Sequence, residues 1–166
     1  MSDSPLWDQA EQILAAIVAE YASATVTLPT RQYVSPGRAT EDCEQVAITL
    51  ERGAVKDFRP VTGFESSRGQ CVKILVPQWR VHVVRCIPHA GSEEGAVIPP
   101  AADLDAAAAE LLRDVWLVHS GVSAAIAASG DAGPCANLQV TGFGLGPMSD
   151  LGSAFVDVSA DLTPVG

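Results

Sequence analysis

Aromatic side chains are scarce in this chain. They make up 5% of its 166 residues against 48% apolar residues overall, so a core has to be assembled from Ala, Val, Leu and Ile. Basic residues are few as well: 10 Lys and Arg stand against 20 Asp and Glu, a formal net charge of -10. Sequence-reading contacts to nucleic acid rest on phosphate neutralisation, which such a surface opposes. The four cysteines, Cys43, Cys71, Cys86 and Cys135, form no CxxC pair. That spacing indicates neither a zinc ribbon nor a disulfide framework and leaves buried thiols as the expectation. Nowhere do about 18 apolar residues run unbroken, and Met1-Ser2-Asp3-Ser4 lacks the basic start and apolar run of a secretion signal. The expectation is a protein made and folded in a cytoplasm, with no membrane partner. At this length one core suffices, burying roughly two-thirds of the unfolded surface, and residues 1–166 read as a single domain.

What is present reads as alternating helix and strand. Ser4-Pro5 is a helix start, Ser4 as cap and Pro5 at the first helical position, where its missing N–H costs nothing. Trp7, Ala10, Leu14, Ile17, Val18 and Tyr21 recur at three- and four-residue steps and predict an apolar stripe facing a sheet. Arg31 to Val34 predicts a short strand. From Glu44 to Glu51, Val46, Ile48 and Leu50 alternate with Gln45, Ala47 and Thr49, the period of a strand with one buried face. Residues 52–69 break that pattern with Gly53, Pro60, Gly63 and Gly69, and read as a long loop suited to partner contacts. Gln70 to Ile87 is the strongest strand signal, interrupted by Pro77, which implies an edge, a bulge or a boundary. A second helix follows, its apolar face marked by Leu104, Ala108, Leu111, Leu112, Val115, Val118, His119, Val122 and Ile126, and Gly130 ends it. Two strands, about 136–145 and 152–162, complete the chain. The predicted class is α+β: a mixed or antiparallel sheet of about four to five strands packed against two helices.

Chemistry-bearing motifs are weak. Gly142-Phe143-Gly144-Leu145-Gly146 follows a strand without opening a helix and lacks the Lys-Ser/Thr ending of a phosphate loop. Cys86-Ile87-Pro88-His89 offers two soft ligands where zinc needs three or four. His82 in mid-strand and His119 in mid-helix read as packing residues, since sequence pairs neither with a nucleophile. Asp103 and Asp105 suit the positive end of a helix dipole, while Glu41-Asp42 and Glu93-Glu94 read as solvated charge. No catalytic, cofactor-binding or metal residue is assigned, and no cofactor is expected. Trp7 and Trp116 are expected as core or near-core anchors, and Trp79, beside Pro77 at a strand edge, equally as a packing residue or as a subunit contact. With it, Phe58, Arg59, Phe64 and Arg68 of the long loop are the candidate contacts.

Several segments taken together resemble a known family. They are the N-terminal helix, Asp42-Cys43-Glu44-Gln45-Val46 opening a strand, the run from Trp79 to Pro88 closing the middle strands, a long Ala-rich helix, and a Gly-Pro turn before the last strand. This order is similar to that of the small tail terminator and head-tail connector proteins of siphophages infecting actinobacteria. The resemblance implies a structural virion protein rather than an enzyme. Such a subunit would form a homohexameric ring at the head-tail junction, cap the tail tube, end its polymerisation and meet the head-completion protein. Genomic DNA would cross the lumen without specific binding, which an acidic balance suits. A head-tail stopper shares size, charge and ring habit. Outside the virion, the alternatives are a small α+β enzyme using His82 or His119 and a monomeric cytoplasmic adaptor.

Overall fold

Pro5 opens helix α1 (Pro5–Ser23) as expected, and the amide of Asp8 donates to the carbonyl of Ser4. The helix closes in a Schellman turn: Val26 N–H reaches Tyr21 O, Thr25 N–H reaches Ala22 O, and Thr25 takes the left-handed position at φ 54°. The chain continues as β1 (Arg31–Ser35), β2 (Gln45–Phe58), β3 (Val72–Cys86), α2 (Ala101–Ser129), β4 (Leu138–Pro147) and β5 (Phe155–Pro164). This computed structural model describes residues 4–39, 44–58, 72–87, 98–131, 133–147 and 155–164.

One five-stranded mixed sheet, in the order β1-β2-β3-β5-β4, carries both helices. β1 runs parallel to β2, and every other pairing is antiparallel. The α+β expectation therefore holds at the level of class: two helices on a mixed sheet. Val46 and Ile48 of β2 and Trp79, Val81 and Val83 of β3 meet Ala10, Ile13, Ile17 and Tyr21 of α1 and Leu117, Val118, Val122 and Ala125 of α2. Each of the fully buried Val and Ile side chains among these contributes about 1.5–3 kcal/mol. The two helices approach closely at Gly121, where a Cβ would lie 2.6 Å from the Cα of Ile17. Gly130 ends α2 with φ 52°, a conformation glycine adopts without strain.

By length and composition α2 is also long and apolar enough to cross a bilayer. In this fold its apolar face has another use, since it packs on α1 and the sheet and carries the buried carboxylate of Asp114.

The reading of the middle strands needs correction. Residues 52–58, expected as loop, continue β2, and β3 runs through Pro77 without a break. The conflict with proline resolves locally. β5 pairs with β3 only from Trp79 to Cys86, so at Pro77 the strand has β2 alone as neighbour, and β2 carries a register shift at Leu50/Arg52 close by. Likewise β1 accompanies β2 only as far as Thr49. Among the described residues, Arg52–Phe58 and Val72–Gln78 thus form a two-stranded ribbon continuing beyond the sheet body.

Candidate subunit interface

The most polar place in the core is a closed network, and it is structural. Arg85, on the helix-facing side of β3, is 3% exposed. It donates from Nε to Asp114 Oδ2 at 2.9 Å and from Nη2 to Asp114 Oδ1 at 3.1 Å, a bidentate pair with α2. Its remaining donors reach Glu44 Oε2 at 2.8 Å and the Thr27 carbonyl at 2.9 Å, while Glu110 lies at 3.5 Å. Tyr21 O–H donates to Asp114 Oδ1. Glu44 itself sits at φ 55°, an uncommon backbone for a non-glycine residue, and its carbonyl accepts the Arg31 amide that begins β1. Both helices, β3, the residue before β2 and the segment after α1 converge here, and among the described residues no buried side-chain donor or acceptor is left without a partner. The sequence carried a signal for this pair that periodicity alone passes over: Arg85 interrupts the apolar face shared by Trp79, Val81 and Val83, and Asp114 interrupts the buried stripe of α2. Opposite charges on two apposed apolar faces imply pairing.

Burial, the neighbouring Asp114 carboxylate and the hydrogen bond to it push the Tyr21 phenol above its ordinary value. The unfolded chain releases that proton near pH ~10, the folded one only at higher pH. The network's stabilisation is therefore complete below pH ~10 and declines above it, by up to about 1.4 kcal/mol per pH unit from this group. Urea titrations between about pH 7 and 12 are expected to show Tyr21→Phe less stable than the native chain by about 1–2 kcal/mol at neutral pH, with a shallower decline in alkali. Parallel curves would contradict this account.

Gln9, buried on α1, links three elements. Its side-chain amide donates to the Pro134 carbonyl and its Oε1 accepts the indole N–H of Trp79. Trp79 is consequently a core residue, 3% exposed, on a central strand. Its expected role as an edge contact is incorrect. The helical tryptophans are reversed too, Trp7 being 41% and Trp116 68% exposed. Period placed all three on the right elements, but only the packing of α1 against α2 decides which flank of each helix faces inward.

His82 is the described residue nearest to acid–base chemistry. Its Nε2 lies 3.2 Å from Thr49 Oγ1 and 3.9 Å from Glu51 Oε1. Thr49 is moreover fully buried, and its hydroxyl also reaches the Arg80 carbonyl at 3.3 Å. A recess of about 210 Å³ lies beside these residues at the base of the ribbon, lined by Glu51, Arg52, Arg80 and Thr141 among others.

The cysteines divide. Cys135 is free and buried, its thiol pushed upward by burial and near the Gln9 carbonyl at 3.7 Å, an inert packing thiol. Cys86 is disulfide-bonded, contrary to the expectation of thiols throughout, and so is not available as a soft metal ligand. Its partner, like His89, Glu41-Asp42 and Glu93-Glu94, lies outside the described residues. Among the described residues no three His, Cys, Asp or Glu side chains cluster in a way that would hold a metal ion. Gly142 to Gly146 belong to β4 and leave no loop to cradle a phosphate.

On the surface, the conspicuous feature is apolar. Leu112 and Trp116 on the outer flank of α2 are 64% and 68% exposed, and Phe143 and Leu145 on β4 are 41% and 52% exposed. The rings are contiguous: Trp116 stacks on His119 at 6.1 Å between centroids, and His119 meets Phe143 at 5.5 Å. His119 is thus part of this aromatic run rather than a core residue. Contiguous exposed apolar groups of this kind mark interaction sites. Of the contacts expected from sequence, Phe58 ends β2 at the far end of the ribbon, whereas Arg59, Phe64 and Arg68 lie outside the described residues.

No family model matches the chain, and no curated protein is significantly similar to it.

Proposed function

We propose that the chain is a structural subunit that assembles with copies of itself into a closed ring, rather than an enzyme. Within that class, the reading best supported is a siphophage tail terminator. In that role a homohexamer caps the tail tube, ends its polymerisation and joins it to the head-completion protein at the head-tail junction of the virion. The carrying observation is the aromatic and aliphatic patch of Leu112, Trp116, His119, Phe143 and Leu145 beside an outer strand, a surface that a monomer has reason to bury. The order of helices and strands agrees with the family resemblance, and the excess of acidic residues suits a lumen through which DNA slides without adhering. The disulfide at Cys86 is compatible with a particle that finally leaves the reducing cytoplasm.

Light scattering and negative-stain microscopy of the purified chain, alone and with tail-tube protein, test this reading. Rings of about six copies, or rings seen only on tube ends, are expected for closed assembly. Binding to the head-completion protein with indifference to tubes would move the assignment to a stopper. A persistent monomer that ignores both would end the ring reading. Trp116→Ala is expected to raise the subunit dissociation constant about tenfold or more while leaving the fold intact, because the side chain is exposed in the monomer. Unchanged association would remove the patch from the interface.

A further inference from the structure

The disulfide at Cys86 has a partner that chain geometry identifies. Of the four cysteines, Cys135 is free and buried, so Cys86 is joined either to Cys71 or to Cys43. A disulfide holds its two Cα atoms about 4.4–6.8 Å apart. Cys71 immediately precedes Val72, the first residue of β3, and Cys86 is the last residue of the same strand. The 15 residues of β3 place its two ends roughly 45 Å apart, and one peptide step recovers only about 3.8 Å of that. Cys71 therefore cannot reach Cys86 of its own chain.

Cys43 is tied to the neighbourhood of Cys86 by the residues that follow it. Gln45 sits opposite Val84 in the β2–β3 ladder, and Glu44 Oε2 accepts from Arg85 Nη1 at 2.8 Å. Antiparallel pairs have Cα atoms about 4.5–5.5 Å apart. Counting two residues outward from Gln45 and Val84 reaches Cys43 on one side and Cys86 on the other. Cys86 is also exposed, so a small thiol or disulfide has access to it.

We infer that Cys43 and Cys86 form an intrachain disulfide, and that this bond is a redox clasp on the start of the β1–β2 pairing and on the Arg85 network. Glu44, one residue from the bond, serves both. Its carbonyl accepts the Arg31 amide at 3.1 Å where β1 begins, and its carboxylate binds Arg85, which in turn holds Asp114 of α2. Glu44 keeps a left-handed backbone at φ 55°, which costs a non-glycine residue free energy and persists only where its surroundings fix it. A covalent bond at the preceding residue supplies that restraint. Reduction delivers two electrons and two protons to the bond and yields two thiols, a small dithiol being oxidised to its cyclic disulfide. Glutathione disulfide reverses the step and departs as two glutathione thiols. The bond is accordingly expected open in a reducing cytoplasm and formed in oxidising surroundings.

Trypsin separates the four cysteines, leaving Cys43 in 39–52, Cys71 in 69–73, Cys86 in 86–113 and Cys135 in 114–166. The folded native chain is incubated with glutathione disulfide, its free thiols are capped, and it is digested without reduction. Peptide 39–52 is expected joined to 86–113, lighter by two hydrogens than the separate peptides and parted by dithiothreitol. Peptide 86–113 joined to 69–73, joined to a second copy of itself, or capped as a free thiol overturns the pairing.

Melting with and without dithiothreitol gives a second readout. The native chain and Cys71→Ser are each expected to lose roughly 5–15 °C on reduction, while Cys43→Ser melts at one temperature in both. A Cys43→Ser variant as sensitive as the native chain, or an insensitive Cys71→Ser, counts against the pairing. Should Cys43→Ser fail to fold, the digest of the native chain decides. Hydrogen exchange tests the clasp itself: amides of 31–35 are expected to speed up about tenfold or more on reduction, and by more than those of 13–17 in α1. Unchanged exchange in β1 overturns the clasp and leaves the disulfide standing.

Discussion

Asp114→Ala is expected to destabilise the fold by about 3–5 kcal/mol, the cost of leaving a buried charge without its partner. The physical reason is an asymmetry. Arg85 would keep Glu44 and Glu110, which are substantially exposed and therefore weakly coupled, but would lose both hydrogen bonds of the buried bidentate pair. Tyr21 would at the same time lose the acceptor of its O–H inside the core. Against a typical domain stability of about 5–15 kcal/mol, this loss brings the chain near its threshold. The double replacement Arg85→Met/Asp114→Leu is expected to cost less than Asp114→Ala alone, because no charge is left stranded. Urea denaturation of the native chain, Arg85→Met, Asp114→Leu and the double variant measures the coupling. Additive losses would mean that the pair is not coupled and that the network is incidental to stability.

Gly121→Ala is expected to go against helix propensity. In an exposed helix the change would stabilise by about 1 kcal/mol. Here the new Cβ would lie 2.6 Å from the Cα and 2.9 Å from the backbone nitrogen of Ile17. Neither atom belongs to a side chain that can rotate away, so the helices must separate along their shared core. Overpacking of this kind costs about 1–3 kcal/mol, a fall in melting temperature of several degrees for a chain of this size. The sign decides between the two effects: a raised melting temperature would show that the crossing opens without loss. Ala124→Gly, on the exposed side of the same helix, provides the control, with a loss of about 1 kcal/mol from propensity alone.

Much of the architecture was legible because local rules and tertiary packing agree. Pro5 and the stripe through Ala10, Ile17 and Tyr21 mark α1, the alternation of Val46 and Ile48 marks β2, and Gly130 marks the end of α2. Where they disagree, the reading erred in interpretable ways. Gly53 and the neighbouring charges suggested a loop, yet β3 supplies a partner strand 14 to 26 residues away, which no short window of local sequence contains. Leu104 and Leu112 fit the helical period but fall on the flank of α2 away from α1, where they remain exposed.

The candidate site was less legible than the fold. The Trp116–His119–Phe143 run was not anticipated, because it joins α2 to a strand that follows it. The amino-acid sequence by itself determined the class of fold, the positions of both helices and most strands, and the acidic character of the chain, all of which follow from periodicity, turn chemistry and composition. Only the tertiary structure decided which tryptophan is buried, that Arg85 meets Asp114, and which strand lies outermost. Those outcomes depend on how far-separated elements share a finite interior, and no local pattern records that choice.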